Sequence, residues 1–171
     1  MSSSYRVIRA LVLGVGLSVA ACASPNEPSS APPSDVPTPE VTFNAAYGEF
    51  TARIQGARGR YAILIQDLAT ASAGTSEEVG RAGEALAAFG LAEVTWWEAH
   101  AADPCYGEAF QAYGEAAGDA WSAGLAFAGF ATAPEPPTEA ETQDAVALLG
   151  AATDGFASAA SLAAIARIDC Q

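Results

Sequence analysis

From Phe43 to Leu68 the chain sets Phe43, Tyr47, Phe50, Ile54, Ala57, Tyr61, Leu64, Ile65 and Leu68 at steps of three and four. That spacing gathers them on one stripe of a 3.6-residue turn and predicts an amphipathic helix. Glu49, Arg53, Arg60 and Asp67 follow one flank with alternating sign, as on the charged edge of a packed helix. Ser72-Ala73-Gly74-Thr75 interrupts the pattern, and Thr75 with Glu78 has the reciprocal capping spacing that opens a second helix. Its apolar face carries Val79, Ala82, Leu86, Phe89, Val94 and Trp97. Gly83 and Gly90 lie near the centre of that face, where a missing side chain lets a neighbour come close.

Asp103 and Pro104 restart the chain as an N-cap and a first helical residue, which puts Cys105 in the first turn of helix three. Tyr106, Phe110, Tyr113, Ala117, Trp121 and Gly124 form its expected buried face, and Glu108, Gln111, Glu115, Asp119 and Ser122 its solvated one. Pro134-Glu135-Pro136-Pro137 is a stiff connector. Thr138 and Glu141 then cap a fourth helix with a small-residue stripe of Ala145, Leu149, Ala152, Phe156, Ala160 and Ala163. No stretch alternates with period two. The expected fold is all-α, an antiparallel up-down four-helix bundle over residues 41–171.

The residues before the bundle read differently. Arg6 and Arg9 precede an apolar run from Ala10 to Ala21, too short for a comfortable membrane span and suited to a signal-peptide core. The run ends in Val19-Ala20-Ala21-Cys22, which resembles the lipobox of bacterial lipoproteins. The resemblance implies a signal peptide over 1–21, acylation of Cys22, and a domain held outside the cytoplasm on the cell membrane by its lipid. An ordinary secretory leader cut after Ala23 fits the same small residues. Residues 22–40 are rich in Pro and Ser and lack apolar periodicity, so they are expected to form a disordered tether reaching roughly 50 Å.

Composition sharpens this picture by exclusion. The 20 acidic residues face 7 basic ones, every one of them arginine, for a formal charge of −13. Without Arg6 and Arg9 the balance is more acidic still. A surface of that sign repels nucleic acid and anionic lipid, and no nucleic-acid partner is expected. Alanine makes up roughly a quarter of the chain, in keeping with a helical reading. With Cys22 in the leader, Cys105 and Cys170 remain, and an oxidising compartment favours their pairing as one disulfide. In an antiparallel pair the start of helix three and the end of helix four lie at the same end of the bundle.

No catalytic set or cofactor motif emerges. His100 is the lone histidine, so Glu-x-x-His di-iron motifs and multi-histidine zinc sites have too few ligands, and Cys-x-x-Cys-His for haem is absent. A hydrolytic serine would need His100 as its base, and no glycine-flanked serine elbow or phosphate loop occurs. The expected activity is non-enzymatic, without metal or cofactor, through contact with a protein or another cell-envelope partner.

One constellation stands apart. On a helical wheel Glu93 and His100 fall on or near the apolar face of helix two, with Phe89, Trp96 and Trp97 around them. A carboxylate there needs a cation, because an unpaired buried charge is costly. Arg53, Arg58 and Arg60 of helix one lie near its level. The first expectation is an ion pair from Glu93 to one of these arginines, with His100 favoured by the C-terminus of helix two. The alternative is a small-ligand pocket floored by tryptophan, with Glu93, Trp96, Trp97 and His100 as contacts. Glu108, Glu115 and Asp119 read as a solvated face or as one turned toward a basic partner.

The tether reading makes a prediction. Deleting residues 26–38 should leave the domain's stability to urea within about 1 kcal/mol of the intact chain. A larger drop would mean that this segment packs on the bundle.

Overall fold

Helix starts in this chain follow their capping residues. The computed structural model describes residues 39–169, with side-chain burial from residue 45 onward. Cys22, the lipobox and Cys170 lie outside what is described, as does the side chain of Phe43. The first helix, α1, spans Pro39–Ala71 and so begins at the last residues of the stretch read as tether. α2 (Ser76–Glu98) opens with the predicted capping box. The Glu78 N–H donates to Thr75 Oγ1 at 3.2 Å, and the Thr75 N–H donates to the Glu78 carboxylate at 2.7 Å. α4 (Glu139–Asp169) has the same reciprocal pair between Thr138 and Glu141, at 3.2 and 2.7 Å. Hydrogen bonds from the backbone and then the hydroxyl of Thr75 and Thr138 hold both glutamates below the usual carboxylate range.

The third start differs in detail from its expectation. Asp103 accepts the Cys105 N–H at 2.8 Å, but the turn it caps is a short 3-10 segment, Pro104–Tyr106. The helix proper, α3, spans Gly107–Thr132. Cys105 therefore sits exposed in the turn before α3, not in its first helical turn. Among the described residues there are four α-helices and no strand, packed as an up-down four-helix bundle. α3 packs on α2 and α4, and α1 closes the ring by packing on the same two helices.

Two kinds of packing hold the ring. Along the α2–α3 seam the helices touch almost backbone to backbone. Gly80 meets Ala131, Gly83 meets Phe127 and Ala128, Gly124 meets Ala87, and Gly90 meets Trp121. These pairs keep one antiparallel register from end to end, and a Cβ on any of the four glycines would overlap its neighbour. α1 instead reaches its neighbours through large side chains. Tyr61 and Tyr47 donate to the Leu149 and Ala163 carbonyls of α4 at 2.8 and 2.9 Å. Phe50, Ile54, Tyr61, Leu68, Leu86, Tyr113, Phe127, Leu149 and Phe156 fill the centre. Trp121, expected in the core, is half-buried, because Gly90 is met by its backbone and Cβ. Ala82, Phe89, Val94 and Trp97 are likewise half-buried beside fully buried Val79 and Leu86.

Glycine substitutions separate these two surfaces. Gly90→Ala and Gly124→Ala should each lower stability by about 1–3 kcal/mol through overpacking. Gly56→Ala and Gly59→Ala, where a Cβ meets nothing within 4 Å, should raise it. The expected gain is about 0.5–1 kcal/mol, because alanine is the better helix former. Urea midpoints of the four variants check both signs.

Candidate functional site

Glu93 lies in the C-terminal half of α2 with 1% of its surface exposed, the one buried charged side chain among the described residues. A carboxylate so placed loses its water and must find donors within the protein. It finds three, from two other helices. Arg53 Nε of α1 donates to Oε2 at 2.6 Å, and Arg60 Nη2 donates to Oε1 at 2.5 Å. The Tyr113 hydroxyl of α3 also donates to Oε2. Arg53 Nε makes a longer contact of 3.3 Å with the same hydroxyl.

The local sequence explains why both arginines converge on one acid. Arg53 and Arg60 are seven residues apart, so they rise about 10 Å along one side of α1 and approach Glu93 from above and below. Each guanidinium is steadied by an aromatic face of α2. Arg53 Cζ lies 5.0 Å from the Trp96 ring centroid and Arg60 Cζ 5.6 Å from that of Phe89. Arg58, the third candidate cation, is not among the groups bonded to Glu93. Burial raises the Tyr113 hydroxyl above its ordinary range, and the bond to Glu93 raises it further, so this group stays protonated as a donor. Phe50 packs against Trp96, Phe110 and Tyr113, and Tyr113 continues edge-on to Phe156.

The four residues singled out from sequence divide three to one. Glu93 and Trp96 share Arg53, and His100 stacks on Trp96 with centroids 4.3 Å apart. His100 is exposed, its Nδ1 2.6 Å from the Trp96 carbonyl one turn back, so it closes the end of α2 rather than lining a cavity with Glu93. Trp97 turns the other way. Its indole rests on Gly114 of α3, where a Cβ would collide with the ring, and it stacks near Phe110 at 6.0 Å. Its Nε1 is buried with no hydrogen-bond partner among the described residues.

Sequence reasoning placed Tyr113 in the core and missed its hydroxyl as the third donor. The available signal was a phenol on a core stripe facing a lone buried acid, since a buried Tyr O–H generally finds an acceptor.

Chemically the cluster is an inter-helix clamp. Both Glu93 oxygens are engaged by charged or phenolic donors of its own chain. This is the inter-helix ion pair of the first expectation, with the alternative reading a tryptophan-floored pocket at the same residues. A shallow opening of about 190 Å³ lies between α1 and α4, lined by Tyr47, Thr51, Gln55, Ala163 and Arg167 among others. Among the described residues no three of His, Cys, Asp and Glu gather as a metal site. Compared with known protein families, curated proteins and solved structures, the chain matches none.

Removing the acid should be the most damaging change at the clamp. Glu93→Ala is expected to cost about 3–5 kcal/mol, because it strands partly buried cations. Arg53→Ala should cost more than Arg60→Ala, since the Arg60 side chain is 54% exposed and its pairing is screened to about 1 kcal/mol or less. A phenol whose pKa is raised on folding stabilises the fold below its unfolded value of ~10, and that contribution is lost as pH rises through the folded value. Stability should therefore fall above roughly pH 10, and Tyr113→Phe should flatten that fall. Trp97→Phe removes an unpaired donor and should leave stability unchanged or slightly raised. Chemical denaturation at matched pH reads all of these.

Proposed function

We propose that the protein is an extracytoplasmic domain tethered to the membrane through lipid on Cys22, and that it works by contact with another macromolecule rather than by catalysis. The observation that carries the reading is how the side chains are distributed. The buried acid accepts its hydrogen bonds from neighbouring helices, as a structural brace does. Meanwhile Ile63, Leu91, Leu125, Ile165 and Ile168 stand 46–77% exposed on the outside. Such side chains support a contact reading where they gather into a patch. The Val19-Ala20-Ala21-Cys22 pattern and the Pro/Ser-rich segment supply the address and the reach.

The bundle's topology fits a tether. An up-down arrangement brings the start of α1 and the end of α4 to one end. The turn bearing Cys105 packs on α4, whose last described residue, Asp169, precedes Cys170. That neighbourhood supports a Cys105–Cys170 disulfide, which would close a loop worth about 4 kcal/mol by the chain-entropy argument.

Two measurements test the reading. The denatured mass of protein purified from its host membrane should lack residues 1–21, carry lipid, and take up no alkylating reagent at Cys105 or Cys170 until reduced. Cys22→Ser should release the protein from the membrane. Photo-cross-linking residues placed in turn at the five exposed aliphatic positions, in the intact envelope, should give an adduct of discrete mass at one or more of them. An unlipidated mass contradicts the anchor, and no adduct at any position contradicts the contact reading.

A further inference from the structure

The outward side of the α2–α3 seam combines three features. The first is flatness. The glycine pairs draw the two helices together, and at Gly118, one turn before Trp121, a Cβ would meet nothing within 4 Å. The second is an apolar strip. The contact of Gly90 with Trp121 places Leu91 beside that half-buried tryptophan, and the contact of Ala87 with Gly124 brings Leu125 to the next turn. Leu91 is 46% and Leu125 53% exposed.

The third feature is charge. Glu84, Leu91 and Glu98 recur every seven residues, so an exposed acid stands about 10 Å to either side of the leucine along one line of α2. Exposed Glu115 flanks the strip from α3. The two helices together hold eight acidic residues against a single arginine, Arg81, which turns to Glu77 at 3.9 Å. Burial, and after it the neighbouring charge of Glu115, raises Asp119, the next acid along α3, above its ordinary range.

We propose that this face docks a cationic amphipathic helix of a partner protein. Its apolar side chains would lie along Leu91, Trp121 and Leu125, and basic residues about four turns apart would meet Glu84 and Glu98. The proposal rests on the contact reading above and names its surface and its partner's chemistry. The charges argue for this occupant over others. A second copy would bring the same acids toward one another, and anionic lipid or nucleic acid would be repelled. A bundle without sheet edges offers no backbone for strand addition, so the match must be made by side chains, as between helices.

The test uses the full mature protein and a fluorescent 18-residue helical peptide with leucines on one face and lysines at seven-residue intervals beside them. A second peptide has glutamate at every lysine. Saturable anisotropy binding is expected for the lysine peptide alone, weakening with added salt. Leu91→Ser/Leu125→Ser should weaken it by about tenfold or more. Ile63→Ser/Ile165→Ser, which removes apolar surface elsewhere, should change it less than about twofold. Circular dichroism confirms that each variant is folded.

Equal losses in the two double variants, no loss in the first, or no saturable binding would overturn the proposal. So would a dimer in sedimentation that Leu91→Ser/Leu125→Ser abolishes, which would assign the face to a second copy. If the peptide fails while cross-links form at Ile63, Ile165 or Ile168, this surface is wrong and the contact reading stands. If no position cross-links, the contact reading itself falls.

Discussion

The position of α1 in this bundle depends on a carboxylate that cannot be left alone. Glu93 is almost wholly removed from water, and in that setting an unpaired charge costs several kcal/mol. Its partners come from α1 and α3, so satisfying one side chain fixes the mutual placement of three helices. Sliding α1 by one turn would carry Arg53 and Arg60 about 5 Å along the bundle and leave Glu93 without at least one of its cations. A well-packed apolar residue in place of the acid can give equal stability. What the acid adds is a penalty for misplacement.

That penalty matters because much of the remaining interface is smooth. The small side chains of Ala116, Ala117, Ala120 and Ala123 on α3 and of Ala145, Ala152, Ala159 and Ala163 on α4 present little relief. Uniform cores of this kind specify register weakly. Where α2 meets α3 the glycines supply the missing relief, since each admits one particular stretch of opposing backbone. α1 makes no comparable glycine contact. Gly48, Gly56 and Gly59 all face open space, and its register is held by Glu93 and by the two tyrosine bonds to α4 carbonyls. The stiff seam and the charged clamp are thus complementary solutions to one problem.

Much of this was legible in the sequence because it is local. Thr75 with Glu78 and Thr138 with Glu141 announce helix starts through bonds that span three residues. The three-and-four spacing of Phe50, Ile54, Tyr61 and Leu68 reports a buried stripe without reference to any other helix. Glu93 could be flagged as a buried acid in need of arginine from the same kind of pattern. What the pattern could not supply was anything set by rotation between helices. Arg58 was as good a candidate as Arg53 until α1 was oriented. Adjacent Trp96 and Trp97 had to part company, but only the glycine at position 114 decides that Trp97 goes to α3. Tyr113 looked like an ordinary core aromatic, because its hydroxyl has a role only when α3 faces Glu93.

The central claim is that Glu93 and Arg53 act as one unit across the α1–α2 interface. A double-mutant cycle with Glu93→Gln and Arg53→Met, read by urea denaturation at neutral pH, tests it most directly. A clamp predicts strong non-additivity, with a coupling of about 1–3 kcal/mol and a double variant less impaired than the sum of the singles. Effects that add to within about 0.5 kcal/mol would mean that the two side chains meet without depending on each other, and the account of how α1 is held in register would fail.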